Sequence, residues 1–274
     1  MAEKILIVAD DFGLTRSITD TILETVDAGT VTRVSIIPNG EAVEYALSEY
    51  KKRSDNLTLA LHINLSEGNA LSAPEDITHL VNARGMFVHS VVGLWFAYIF
   101  ASNAKRRALC NEIRSEITAQ CKNIRMTLGT GVHIINSHQH VHLIPFVFDE
   151  LIKIPDIKEI RTVREPFQWS WSFSSMLTHL VLHFLSKRAA HIMRLKGVAT
   201  NDSFIGFVHS GYMTEKALHT GLARANSRVE VLLHPGSAAE GELSSWKGSR
   251  SDIKWHYSPW RAKERKMLVT FRSK

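Results

Sequence analysis

The stretch Ile134-Ile135-Asn136-Ser137-His138-Gln139-His140-Val141-His142 decides how the rest of this chain is read, because an apolar, strand-like run ends there in histidines at every second position. On an extended chain residues two apart point to the same side, so His138, His140 and His142 are expected to line one wall of a pocket. Neutral imidazole is the commonest protein metal ligand, and a cluster just beyond a buried strand stands where α/β enzymes carry catalytic groups. The plainer alternative is three ordinary polar side chains in a loop. Only partners elsewhere in the chain separate the two.

Two other strand-like runs supply such partners. Ile5-Leu6-Ile7-Val8-Ala9 is continuously apolar, as expected of a strand covered on both faces, and it ends in Asp10-Asp11-Phe12-Gly13. Leu57 to Ile63 alternates, with Leu57, Leu59, Leu61 and Ile63 on one face and His62 on the other, just before Ser66-Glu67-Gly68. Taken singly, the Asp pair reads as a helix N-cap region and His62 as a core histidine. Together with the histidine cluster they read as one site.

The intervening segments alternate between helical and extended patterns. A helix is predicted from about Thr15 to Ala28, closed by Gly29, then a strand over Thr32–Ile37 and a short helix over Glu41–Arg53. Further strands are predicted at Val132–Asn136, Ile160–Val163 and Val229–Leu233, and helices at Ala104–Met126 and from Phe146. Such β-α-β alternation favours parallel strands joined by right-handed crossovers. At 274 residues the chain has the size of a (β/α) barrel, and no linker-like stretch divides it. The expectation is therefore an α/β fold of mostly parallel strands over 1–274, a TIM-like barrel in complete, incomplete or distorted form.

Ala9-Asp10-Asp11-Phe12-Gly13, Leu61-His62-Ile63-Asn64-Leu65, Asn136-Ser137-His138-Gln139-His140-Val141-His142 and Leu233-His234-Pro235-Gly236 follow one another in the order and at about the spacing of one known family. The chain resembles the YdjC/ChbG-like carbohydrate deacetylases, also called the ChbG/HpnK family, from Lys4 to its C-terminal helix. The resemblance implies a hydrolytic site with one divalent cation, Zn²⁺ or Mg²⁺, held by Asp11, His62 and His138, with His140 or His142 as alternative ligands to His138. It further implies Asp10 as the base that takes a proton from water and His234 as the acid that protonates the departing amine. Arg164, Glu165, Asn136, His140, His142 and Asp202 are expected to contact substrate, the last in a segment, Asn201-Asp202-Ser203-Phe204, that resembles the family's later loop. In one respect the chain departs from the pattern: the family usually carries Asp before the Ser-His pair, where this chain has Asn136. An amide can orient a histidine but cannot act as a carboxylate.

Composition bounds the setting. No signal-peptide layout follows Met1, and Cys110 and Cys121 on one predicted helix stand roughly 16 Å apart at about 1.5 Å rise per residue, too far for a disulfide. A reducing, cytoplasmic setting is expected. From Ser244 onward nine Lys or Arg face only Asp252 and Glu264, which accounts for the net charge of +6; a solvated basic helix or an anionic partner would explain it. Nucleic acid is not expected, since no recognition motif accompanies the charge. Val91–Ala101 is apolar but too short to span a bilayer, which takes about 20 residues, and reads as a buried helix or an interfacial one.

Trp169, Trp171 and Phe173 precede a helical pattern in which Met176, Leu177, Leu180, Val181, Phe184, Leu185, Ile192 and Leu195 form one face and His179, His183, Lys187, His191, Arg194 and Lys196 the other. An insertion at about 167–196 that docks on an anionic membrane accounts for this pattern, and so does packing on the barrel. Within the resembled family some members act on soluble chito-oligosaccharides and others on polyprenyl-phosphate-linked N-acetylhexosamine during envelope glycan assembly, including lipopolysaccharide and lipid A modification. The basic and aromatic features favour the second group, at the inner face of the cytoplasmic membrane. A catalytically silent sugar- or lipid-binding protein is the alternative that Asn136 would support, and a homo-oligomer is left open.

Overall fold

The computed structural model describes residues 4–166, 173–225, 228–246 and 250–270. Its seven strands form one parallel sheet: β1 (Lys4–Phe12), β2 (Arg33–Ile36), β3 (Thr58–Ile63), β4 (Ile134–Ser137), β5 (Glu159–Ile160), β6 (Ser203–Ile205) and β7 (Arg228–Leu233). Their order is β5-β4-β3-β2-β1-β7-β6, and every pairing is parallel. The sheet curls into an incomplete barrel. At its lower, N-terminal end Glu159 of β5 receives Arg33 of β2 at 2.7 Å and Arg228 of β7 at 2.5 Å, which a flat sheet would hold far apart. A bridge between Glu159 and Ala199 and a hydrogen bond from Phe204 N to Arg164 O span the gap between β5 and β6.

The helices follow the apolar periodicity. α1 (Arg16–Asp27) is capped by the Thr15 hydroxyl, which accepts from Ile18 N, and buries Ile18, Ile22 and Leu23. α2 (Val43–Lys51) buries Ala46 and Leu47. The chain then enters β3, whose connection to β4 carries α3 (Val91–Ile99) and the long α4 (Asn103–Leu128). α4 buries Leu109, Ile113, Ile117 and Ile124, and its buried Glu116 and Gln120 pin the preceding loop by accepting from Leu71, Ser72 and Asn64 N–H groups. α5 (Pro145–Leu151), α6 (Phe173–Lys196), α7 (Glu215–Leu222), α8 (Arg250–His256) and α9 (Pro259–Thr270) complete the chain.

Three expectations change. α3 is not a buried helix: Leu94 is enclosed, but Val92, Phe96 and Ile99 are exposed and Phe100, just past its end, is 80% exposed. On α6 the inward face is a different one: His179, Leu182, Ser186, Ala189 and Met193 turn inward, while Leu177, Leu180, Val181, Phe184 and Leu195 face out together with Lys187, His191, Arg194 and Lys196. The segment read as a loop at Ser203–Phe204 is strand β6. Trp169 and Trp171 lie outside the described residues.

Candidate metal centre

The chain puts its chemistry at the C-terminal ends of the strands. The β1 ladder is interrupted between Ala9 and Phe12, and Asp11 takes a left-handed backbone, φ 66°, which is uncommon for a residue with a side chain. This kink aims the two adjacent carboxylates apart. Asp10 faces the barrel interior, where Arg161 Nη1 and Nη2 grip it at 2.5 and 3.0 Å, while Arg161 Nε donates to Glu230 Oε1 at 2.6 Å. Asp11 faces the histidines: its Oδ1 lies 3.4 Å from His138 Nδ1 and 3.7 Å from His62 Nε2, and its Oδ2 accepts from Arg261 Nη1 at 2.9 Å.

His62 is oriented from behind. Its Nδ1 meets Asn136 Oδ1 at 2.7 Å, and Asn136 Nδ2 donates to Ser35 Oγ at 2.7 Å. Since the amide oxygen can only accept, His62 carries its proton on Nδ1 and offers a bare Nε2. Asp11 Oδ1 and His62 Nε2 are both buried and neither makes a hydrogen bond. Buried polar atoms that make no hydrogen bond are costly, and a divalent cation between them removes the cost. Asp11, His62 and His138 form a set whose donor atoms all lie within 4.8 Å of one another, so the residues present fit a divalent cation.

Burial raises the cost of charge at Asp10, but Arg161 outweighs it, with His62 adding, and holds the carboxyl well below its usual range. At Asp11 burial is likewise overcome by Arg261 and His138. Burial opposes a charge on His138, yet the Glu67 and Asp11 carboxylates raise its pKa to about 10. His62 moves the other way, lowered by burial against the pull of Asp10 and Asp11. Burial lowers His234 to about 4, with Arg261 adding to the effect, so its ring is neutral at rest.

A model of YdjC-like protein matches residues 4–271. The chain belongs to the YdjC-like protein family. It is similar to a carbohydrate deacetylase of Xenopus laevis, 27% identical over 259 residues that span 89% of this chain and 81% of that one. A chitooligosaccharide deacetylase of Proteus mirabilis is 25% identical over 86% of this chain and 82% of its own. Among solved structures, one described as a putative cellobiose-phosphate cleavage protein from Enterococcus faecalis shares the fold, with a TM-score of 0.62, 19% identity and coverage of 98% of this chain and 94% of that one.

The YdjC-like motifs thus bring Asp10, Asp11, His62, Asn136, His138 and His234 to one place, but the other expected residues stand differently. The run from His138 is not extended. Residues His138–Leu143 form a 3-10 segment in which Gln139 and His140 are left-handed, so the every-second-residue rule fails after Ser137. His142 turns away from the centre and has both nitrogens engaged, Nδ1 by Ser137 Oγ at 2.5 Å and Nε2 by Arg161 O at 2.9 Å. His140 packs between Phe204 and Phe207, and burial holds it uncharged. Arg164 bonds the Asn201 carbonyl, and Glu165 accepts from the N–H groups of Gly206, Phe207 and Val208 at 3.0 Å, which makes it a clasp for that loop. Asp202 precedes β6, at the opposite end of the barrel, where its carboxylate meets Arg228 N.

Sequence reasoning passed over Arg161, Glu230, Glu67, His256 and Arg261. A charged residue inside the apolar runs Ile160–Val163 and Val229–Leu233 was a usable signal for the first two. Arg261 had none: it sits in what reads as a solvated basic tail, yet it is fully buried. A cavity of about 740 Å³ opens at the far end of the strands beside Thr58, Ile134, Glu159 and Arg228, away from these groups.

Proposed function

We propose that this chain is a carbohydrate N-deacetylase that removes the acetyl group from an N-acetylated amino sugar. The observation that carries the proposal is the convergence of Asp11 Oδ1, His62 Nε2 and His138 Nδ1 beside Asp10, two of these donors being buried without a hydrogen bond. A cation bound by these residues would polarise an amide carbonyl and lower the pKa of a water. Asp10, kept ionised by Arg161, is the residue that would take a proton from the attacking water. His234 reaches the site from β7 with its Nδ1 3.5 Å from Ser210 Oγ, and being neutral at rest it serves as a relay that must gain a proton before passing it to the leaving amine. Asn136 keeps the one task of orienting His62, for which an amide suffices. The names of the similar proteins support the substrate class.

The finer reading is a substrate carried on a polyprenyl phosphate, with the enzyme bound at a membrane surface. Outward-facing Leu177, Leu180, Val181 and Phe184 on α6 support it, followed by Lys187 and Arg188, because packing on the barrel leaves that apolar stripe unexplained. α3, with Val92, Phe96 and Phe100 exposed, leans on α5 through Tyr98 and Phe146 as α6 does through Arg188 and Asp149. No helix among the described residues is long and apolar enough to cross a membrane.

Acetate release by purified, Zn²⁺- or Mg²⁺-loaded protein, measured on chito-oligosaccharides and on undecaprenyl-phosphate-linked N-acetylhexosamine, tests both levels. Release from the lipid-linked sugar in preference is expected. Equal or faster release from soluble oligosaccharide returns α6 to a structural role, and no release from any N-acetylated sugar by cation-loaded protein rejects the enzyme.

A further inference from the structure

Behind His138 stands a carboxylate that the proposed reaction does not use. Glu67 is 1% exposed, and its Oε1 lies 3.1 Å from His138 Nε2, on the side of the ring away from Asp11. Four donors converge on it: His138 Nε2 and Gln139 Nε2 at Oε1, Trp246 Nε1 at 2.8 Å and His256 Nε2 at 3.1 Å at Oε2. Its backbone is fixed as well. Asn64 Oδ1 accepts from Ser66 N and Glu67 N, Asn64 Nδ2 donates to Glu67 O, and Gln120 of α4 brackets Asn64 N and O. Gly68, at φ +68°, lies under Trp246, and a Cβ there would come within 2.6 Å of the indole. A segment ordered this thoroughly by α4 and the C-terminal region has a positional task.

We propose that Glu67 positions the metal ligand His138: by accepting the Nε2 proton it fixes the tautomer and turns Nδ1 to Asp11 and His62. A histidine that binds a cation through one nitrogen commonly donates its other N–H to a carboxylate, which holds the ring and strengthens it as a ligand. The inference rests on the reading of Asp11, His62 and His138 as the cation site. Glu67, His138 and His256 also lie within ligand reach of one another, which raises a second cation as the competing account. The hydrogen bonds oppose it. Arg261 Nη1 faces His256 Nδ1 at 3.5 Å, so Nδ1 accepts and the proton sits on Nε2, where it serves Glu67 and leaves no lone pair for a metal.

The test is Zn²⁺ affinity by chelator competition, with ion content by elemental analysis, on the full chain and its variants. Glu67→Ala is expected to weaken binding by about 10- to 100-fold at one ion per chain, and Glu67→Gln, which keeps one acceptor oxygen, by less. Nitrogen-15 spectra of the Zn²⁺-loaded wild type, which need no variant to fold, should show His138 with a bound Nδ1 and a protonated Nε2. An unprotonated Nε2, or wild-type affinity in both Glu67 variants, overturns the proposal. Two ions per wild-type chain, falling to one in His256→Ala, puts a second cation in its place. Full affinity in His138→Ala would instead show that the three-residue site itself is misplaced.

Discussion

Arg161→Met would strike a buried charge cluster inside the barrel. Arg161 makes three charge-assisted hydrogen bonds, two to Asp10 and one to Glu230, and both carboxylates are at most 2% exposed. Removing one partner of a buried ion pair costs about 3–5 kcal/mol, because the other charge stays behind in a poor solvent for it. With roughly 2–4 °C of melting temperature per kcal/mol for a chain of this size, Tm should fall by about 10 °C at pH 7. The loss should be pH-dependent. In the native protein the depressed pKa of Asp10 contributes stability that is present above the ordinary carboxylate range and lost as pH falls through the depressed value. In the variant, burial without Arg161 puts that pKa above its unfolded value, so stability rises as pH falls through it. The two unfolding curves should therefore converge on acidification. Urea titrations from pH 7 down to pH 4 measure this, and acetate release from Arg161→Lys, which keeps a cation but not the planar fork, should fall by about 10²-fold or more with the ion still bound. Unchanged urea midpoints in Arg161→Met together with full turnover in Arg161→Lys would refute the role given to the pair.

Three further outcomes follow from the site and the surface. Asn136→Ala should weaken Zn²⁺ binding by about 10-fold or more by freeing the His62 ring, while Asn136→Asp should bind at least as tightly as wild type; calorimetry on both distinguishes an orienting amide from a bystander. Because His138 rests protonated below about pH 10 and must yield its Nδ1 proton to a cation, Zn²⁺ binding at pH 7 should release about one proton and tighten about tenfold per pH unit, which calorimetry in buffers of different ionisation enthalpy reads directly. Phe184→Ser with Leu180→Ser should abolish salt-sensitive binding to anionic vesicles without lowering Tm, since both side chains face outward; a loss of stability comparable to a core substitution would return α6 to the barrel.

Much of this was legible from residue order alone. The apolar run of β1 ending in Asp10-Asp11, the alternation that puts His62 opposite the leucines of β3, and the strand before His138 each follow from local periodicity, and parallel strands bring their C-terminal ends together. The length of the reach after those ends was not legible. Histidines at every second position align only while the backbone is extended, and left-handed Gln139 and His140 end that condition, so His142 turns to the Arg161 carbonyl and His138 alone enters the centre. The basic tail misled for a related reason: a charge count cannot register that Arg261 is withdrawn from water to meet Asp11, 250 residues earlier. On α6 the helix was legible but its inward face was not, because His179 and Ser186 meet Glu165 O and Val163 N within the barrel while Leu177, Leu180 and Phe184 face out. Periodicity states which side chains share a face; what that face meets is set by contacts between residues distant in the chain, and those exist only once the sheet has curled around its polar interior.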